Sequence, residues 1–205
     1  MILRVKFTKH IRTIPAKANS RVGLIHNTFS CMDRNNFLPL YKSQIRPLLE
    51  YCSSIWDPIQ KYDVLEIEKV QHRATKLVPN LKDLPYPEQL KSLGLKTLAF
   101  RRKRNDIIQV FRILKGIDKP EPSHFFTESI TLTRGHRLKL KKPRVDTRMR
   151  QHSFSQRVIN VWNSLPSEAV ECCTINSFKN ALKKAWTNDP LQYEIPHDYS
   201  PLLLN

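Results

Sequence analysis

Apolar residues recur along this chain at three- and four-residue spacing, in stretches punctuated by proline. The prolines leave open windows at 16–38, 59–78, 88–119, 144–165 and 167–189, each long enough for one helix or a helix pair. In 63–78, Val64, Ile67, Val70, Ala74 and Leu77 line up as one apolar stripe, which predicts an amphipathic helix. Lys69, Arg73 and Lys76 stand at i, i+4 and i+7 and gather on a separate, basic face. In 97–115, Phe100, Ile107, Phe111 and Leu114 make a second stripe, and Gly116 follows where a helix-ending glycine belongs. Ile175, Phe178, Leu182 and Trp186 make a third, set against Lys179, Lys183 and Lys184. Segment 37–56 also reads as helical, with Pro47 predicting a kink or break near Arg46.

Three windows end alike. Trp56-Asp-Pro58, Trp162-Asn-Ser-Leu-Pro166 and Trp186-Thr-Asn-Asp-Pro190 each put a Trp near a helix end, where it reads as a core anchor. One stretch departs from the helical period. Ile130, Leu132, Leu138 and Leu140 alternate with polar residues on both sides of Gly135, which predicts a short β-hairpin near 130–142. The expected fold is mainly α, a bundle-like set of helices with that one hairpin. One helical region is expected over 1–90, a second with the hairpin over 91–187, and an irregular tail over 188–205.

Composition sharpens this picture in two ways. Lys plus Arg total 35 against 18 Asp plus Glu, a formal net charge of +17, which points to a polyanionic partner. Glycine is scarce: 4 residues at 23, 94, 116 and 135, so no phosphate-cradling loop with closely spaced glycines is present. The mean hydropathy of −0.47, with no apolar run near 18 residues, argues against a membrane span. The opening residues lack the apolar stretch of a secretory signal. Cys31, Cys52, Cys172 and Cys173 form no C-x-x-C pair and read as free thiols, so cytoplasm or nucleus is expected rather than secretion.

Candidate catalytic chemistry is thin. Asp63, Glu66 and Glu68 are the nearest acidic cluster, and on a helix they read as a solvated first turn with ordinary pairs to Lys69. Cys52 with His72 has no supporting signature, and the seven histidines lack H-x₃-H spacing. No catalytic residue, metal site or cofactor is expected. Basic residues carry the signal instead. Arg101, Arg102, Lys103 and Arg104 are consecutive on a helix, about 100° apart, so at least one must turn towards the packed side, with Asp106 as one intramolecular partner. A second cluster comprises Arg134, Arg137, Lys139, Lys141, Lys142, Arg144, Arg148 and Arg150, opposed only by Asp146. On a ribbon, Arg137, Lys139 and Lys141 share one face.

A set of colinear motifs then resembles a known family. Lys17-Ala-Asn-Ser-Arg-Val-Gly-Leu-Ile25, Leu40-Tyr-Lys-Ser-Gln-Ile-Arg-Pro-Leu-Leu-Glu-Tyr51, Leu65-Glu-Ile-Glu-Lys-Val-Gln-His-Arg-Ala-Thr-Lys-Leu77 and Trp162-Asn-Ser-Leu-Pro166 are similar to segments in the C-terminal part of reverse transcriptases from jockey-like LINE (non-LTR) retrotransposons. Phe7-x-x-His10-Ile11, Leu93-Gly-Leu95, Thr133-Arg-Gly-His136 and Ser177-Phe-Lys-Asn-x-Leu182 extend the resemblance over residues 7–186. It implies a thumb and C-terminal extension that grip a primer–template duplex, downstream of a palm whose catalytic Asp-Asp motif has no counterpart here. Where relatives read Arg-Arg-x-Arg-Gly-Asp-Met, this chain has Arg104-Asn105-Asp106-Ile107, losing a glycine.

Together these observations give a noncatalytic fragment that binds the backbone of an RNA–DNA or DNA duplex without sequence preference. Its expected contacts are Lys17, Arg21, Lys69, Arg73, Lys76, Arg101, Arg102, Lys103, Arg104, Arg134, Arg137, Lys139, Lys141 and Lys142, and its expected partners are nucleic acid and a polymerase palm in cis or trans, with no membrane. A retroelement remnant without a role, and a piece of a full RNA-directed DNA polymerase, stay open beside it.

Overall fold

The computed structural model describes residues 7–29, 32–129 and 135–196. Among these the chain is mainly α, with a single two-stranded antiparallel ribbon, as the periodicity predicts. It divides into two compact units. Among the described residues, the first runs through Arg102 and takes in 190–196; the second holds Lys103–Asp189.

The first unit contains α1 (Thr8–Thr28), α2 (Arg34–Leu40), a π-helical turn (Tyr41–Ile45), α3 (Arg46–Glu50), α4 (Ser53–Trp56), α5 (Lys61–Thr75), α6 (Tyr86–Leu93) and the opening residues of α7 (Leu98–Leu114). Ile11, Ile14, Ala18, Val22 and Ile25 form the inward face of α1 and share one core with Ile67, Val70 and Ala74 of α5. Complete burial of each such aliphatic side chain is worth about 1.5–3 kcal/mol. The break expected near Arg46 is real, and it takes the form of the π-helical turn. Pro47 has no N–H to give the Ser43 carbonyl, so the turn before it widens, and Arg46 N–H donates back five residues to Tyr41 O. Trp56 is buried as expected, and its indole N–H donates to Tyr51 O at 2.6 Å.

Leu90, Leu93, Leu95 and Leu98 belong to this same core, so around residue 90 the chain continues within the first unit. The stretch from 188, expected to be irregular, holds a short 3₁₀ turn at Pro190–Gln192. Leu191 is buried there, and Thr97 N–H donates to Gln192 O at 2.9 Å.

A buried polar network lies within this core and corrects the reading of the 63–68 carboxylates. Glu66 is the surface residue expected, pairing with Lys69 at 2.5 Å. Glu68 is instead 5% exposed. Its carboxylate accepts from Tyr86 Oη–H at 2.6 Å and from Leu98 N–H, at the start of α7, at 3.0 Å. Gln71 joins it, accepting from Tyr41 Oη–H and donating to Tyr86 Oη at 2.8 Å and to Lys96 O at 3.0 Å. Burial dominates these donors and pushes the Glu68 carboxyl up to about 7.

The second unit contains α7 from Lys103, β1 (Thr127–Glu128), β2 (Leu140–Lys141), α8 (Arg148–Gln151), α9 (Phe154–Asn163), α10 (Ser167–Val170) and α11 (Ile175–Ala185). Ile107, Val110 and Phe111 pack with Val158, Trp162, Phe178 and Leu182. Phe111 and Phe178 stack with centroids 4.2 Å apart. Gly116 ends α7 as its sequence position predicts. At φ +64° it lets Ile117 N–H reach Arg112 O at 2.9 Å and its own N–H reach Ile113 O at 3.0 Å, closing the helix end. Thr174 starts α11 with a reciprocal capping box to Ser177.

The hairpin differs in register from the expectation. Thr127 pairs with Lys141 and Glu128 with Leu140, so its first strand lies before residue 130, and the expected arm over 130–134 falls outside the described residues. The cause is Asn163. Its side chain accepts from Leu140 N–H at 2.9 Å and donates to Leu140 O at 2.8 Å. The flanking residues therefore face the first strand, and Ser129 N–H donates to Lys139 O at 2.8 Å.

Candidate nucleic-acid interface

Arg101, Arg102 and Lys103 of the cationic run on α7 are each held by a carboxylate of the fold. Consecutive helical residues project about 100° apart, and a different carboxylate meets each of Arg101, Arg102 and Lys103. Arg101 pairs with Glu50, its Nη2–H donating at 3.0 Å. Arg102 is only 2% exposed and donates from Nε to Asp57 Oδ1 at 2.7 Å. In the second unit, Lys103 Nζ donates to Asp189 Oδ2 at 2.8 Å and lies 5.0 Å from the centre of the Trp186 ring. Arg104 is half-buried. Asp106, expected as a partner for this run, is engaged by Arg157 at 2.8–2.9 Å, with both side chains under 10% exposed. These ion pairs organise packing and leave Arg101, Arg102 and Lys103 poorly placed for phosphate.

Removing them shows where the excess charge lies. On α1, Lys9, Arg12, Lys17 and Arg21 are exposed, and the first acidic residue of the whole chain is Asp33. On α5, Lys69 and Arg73 are exposed, as their spacing predicts, and so is Lys76 at its C-terminal cap. Arg73 Nη1–H donates to Asn19 Oδ1 at 3.4 Å, which marks the side of α1 nearest to it. Lys17 and Arg21 each lie two positions from Asn19, about 200° round the helix, so they face elsewhere.

In the second unit, residues 135–150 carry seven cations against Asp146 alone. Leu138 and Leu140 turn inward, while Arg137 and Lys141 are exposed and Lys139 is half-buried, which preserves the expected alternation. Lys142 Nζ donates to Asn160 Oδ1 at 3.2 Å. Arg144, Arg148 and Arg150 are exposed. An open groove of about 540 Å³ runs between Lys142, Pro143, Arg144, Val145, Asp146 and Gln151. Arg134 lies outside the described residues.

No family model, curated protein or solved structure matches this chain.

The site's chemistry therefore rests on its residues. Among the described residues, no cluster of three or more His, Cys, Asp or Glu could hold a metal ion, and no helix is long and apolar enough to cross a membrane. What the surface offers is mobile ammonium and guanidinium groups on rigid supports, a chemistry that positions phosphates and reads no bases. Two features escaped the sequence reading. Glu68, Gln71 and Thr75 follow one another at three- and four-residue spacing beside the apolar stripe, a signal that could have marked them as buried. Tyr62, one residue before the apolar stripe of 63–78, is 66% exposed.

Proposed function

We propose that the chain is a noncatalytic, thumb-like fragment of a retroelement reverse transcriptase that binds the sugar–phosphate backbone of a primer–template duplex. The observation that carries the binding half of this reading is the segregation of charge. Glu50, Asp57, Asp106, Asp118 and Asp189 pair with cations on α7 and α9, including Arg112, whose Nη2 lies 2.5 Å from Asp118 Oδ1. Exposed cations remain on α1, at Arg73 and Lys76, and at Arg137, Lys141, Lys142, Arg144, Arg148 and Arg150. The retroelement half rests on the ordered motifs from Phe7 to Trp186. Cytoplasm or nucleus belongs to the same proposal and rests on four cysteines that form no C-x-x-C pair in the sequence.

Binding through phosphates releases condensed counterions, so the logarithm of affinity falls linearly with the logarithm of salt concentration, with a slope of about 0.9 per phosphate neutralised. The test is fluorescence anisotropy with labelled RNA–DNA and DNA duplexes of unrelated sequences across a salt series. Steep, sequence-independent slopes support the reading; affinity that ignores salt overturns it.

A further inference from the structure

Tyr62 stands on the outward face of α5 with 66% of its surface exposed, and Leu65 beside it is 36% exposed. A tyrosine ring carries roughly 150–250 Å² of surface that packing normally removes from water. Here the ring sits on a helix of about four turns whose other side, at Val64, Ile67, Val70 and Ala74, is fixed in the core. Lys69, Arg73 and Lys76 follow it on the same side. At about 1.5 Å rise and 100° per residue, the four lie about 10, 6 and 4.5 Å apart along the axis, within a strip about 60° wide.

We infer that this strip of α5 holds a single-stranded segment of nucleic acid, one base stacking on Tyr62 while neighbouring phosphates meet Lys69, Arg73 and Lys76. The inference rests on the backbone-binding reading and extends it to a strand class. Paired bases in a duplex keep their faces stacked on one another and have none to offer the ring; unpaired bases do. An aromatic platform beside a track of cations is the arrangement that captures single strands without regard to sequence. Glu66 borders the strip and pairs with Lys69, but this is an exposed contact between neighbours on one helix, of a kind that contributes little and yields to a phosphate.

The experiment compares three probes across one salt series: a single strand of about 12 nucleotides carrying one 2-aminopurine, the same strand with abasic sites, and a blunt duplex of equal length. Tyr62→Ala should weaken single-strand binding by about 5- to 150-fold, the loss of one stacked base. It should leave duplex affinity within about twofold, and Tyr62→Phe should behave as the natural protein does. Binding should quench 2-aminopurine in the natural protein and not in Tyr62→Ala. Because Tyr62 is exposed, an unchanged melting temperature will show that the variant is folded. Equal effects of Tyr62→Ala on strand and duplex, or equal affinity for the abasic strand, overturn the inference. If duplex binding keeps its salt dependence while Tyr62→Ala changes nothing, the stacking site falls and the backbone reading stands. If neither probe binds with salt dependence, both fall.

Discussion

Glu68 makes the stability of this protein depend on pH with an unusual sign. Its carboxyl titrates near 7 in the folded chain against an ordinary value of 4.5, because burial penalises the charged form by more than Tyr86, Arg102 and the first N–H groups of α7 return. The folded state therefore holds this proton more tightly than the unfolded state. The stability contributed is complete below pH 4.5 and is lost as pH rises through 7. The gap of about 2.5 units, at about 1.4 kcal/mol per unit and integrated between pH 5 and 8, amounts to about 2–3 kcal/mol. His72 and His136, both lowered by burial, act in the opposite sense, so the natural protein alone does not isolate the carboxyl. Glu68→Gln does. It keeps the shape and an acceptor for Leu98 N–H and cannot ionise. Urea denaturation of both proteins at pH 5, 6, 7 and 8, followed by circular dichroism, should show the variant gaining about 2–3 kcal/mol on the natural protein between the extremes. Parallel pH profiles would refute the assignment of a buried, neutral Glu68.

The other expectations follow from packing. Arg102→Ala leaves Asp57 without its guanidinium and should cost about 3–5 kcal/mol in denaturant titration, whereas Arg102→Met with Asp57→Leu should recover much of that loss. Phe178→Ala opens a cavity against Phe111 and Trp162 and should cost about 3–5 kcal/mol by the same measurement. Thr174→Ala removes the capping box of α11 and should cost about 1 kcal/mol.

What could be read in advance followed locality. The helices of Val64–Ala74, Ile107–Phe111 and Phe178–Leu182 were legible because a 3.6-residue period is written in the residues that fold on it. Pro47 located the break before α3 because the missing N–H acts on the preceding turn, and Gly116 located a helix end because it supplies the left-handed conformation in place. The fate of Arg101, Arg102 and Lys103 was not legible, since their carboxylates lie 51, 45 and 86 residues away. A charge run looks the same on paper whether it faces solvent or an acid brought in by the fold. The hairpin register escaped for a similar reason. Asn163, which fixes Leu140, is 23 residues downstream and lies on a helix. Glu68 escaped because a glutamate among lysines near a helix start matches the pattern of a solvated turn, and only the arrival of α7 encloses it.

The central claim is that the exposed cations around the hairpin, and not the run on α7, meet phosphate. Its most direct test is the slope of log affinity against log salt for a DNA duplex, comparing the natural protein with the fourfold variant Arg137→Gln, Lys141→Gln, Lys142→Gln and Arg144→Gln. All four side chains are exposed, so the fold should tolerate the change. The account expects the slope to flatten by about 3–4, one increment of about 0.9 for each phosphate contact removed. A slope equal to that of the natural protein would contradict it.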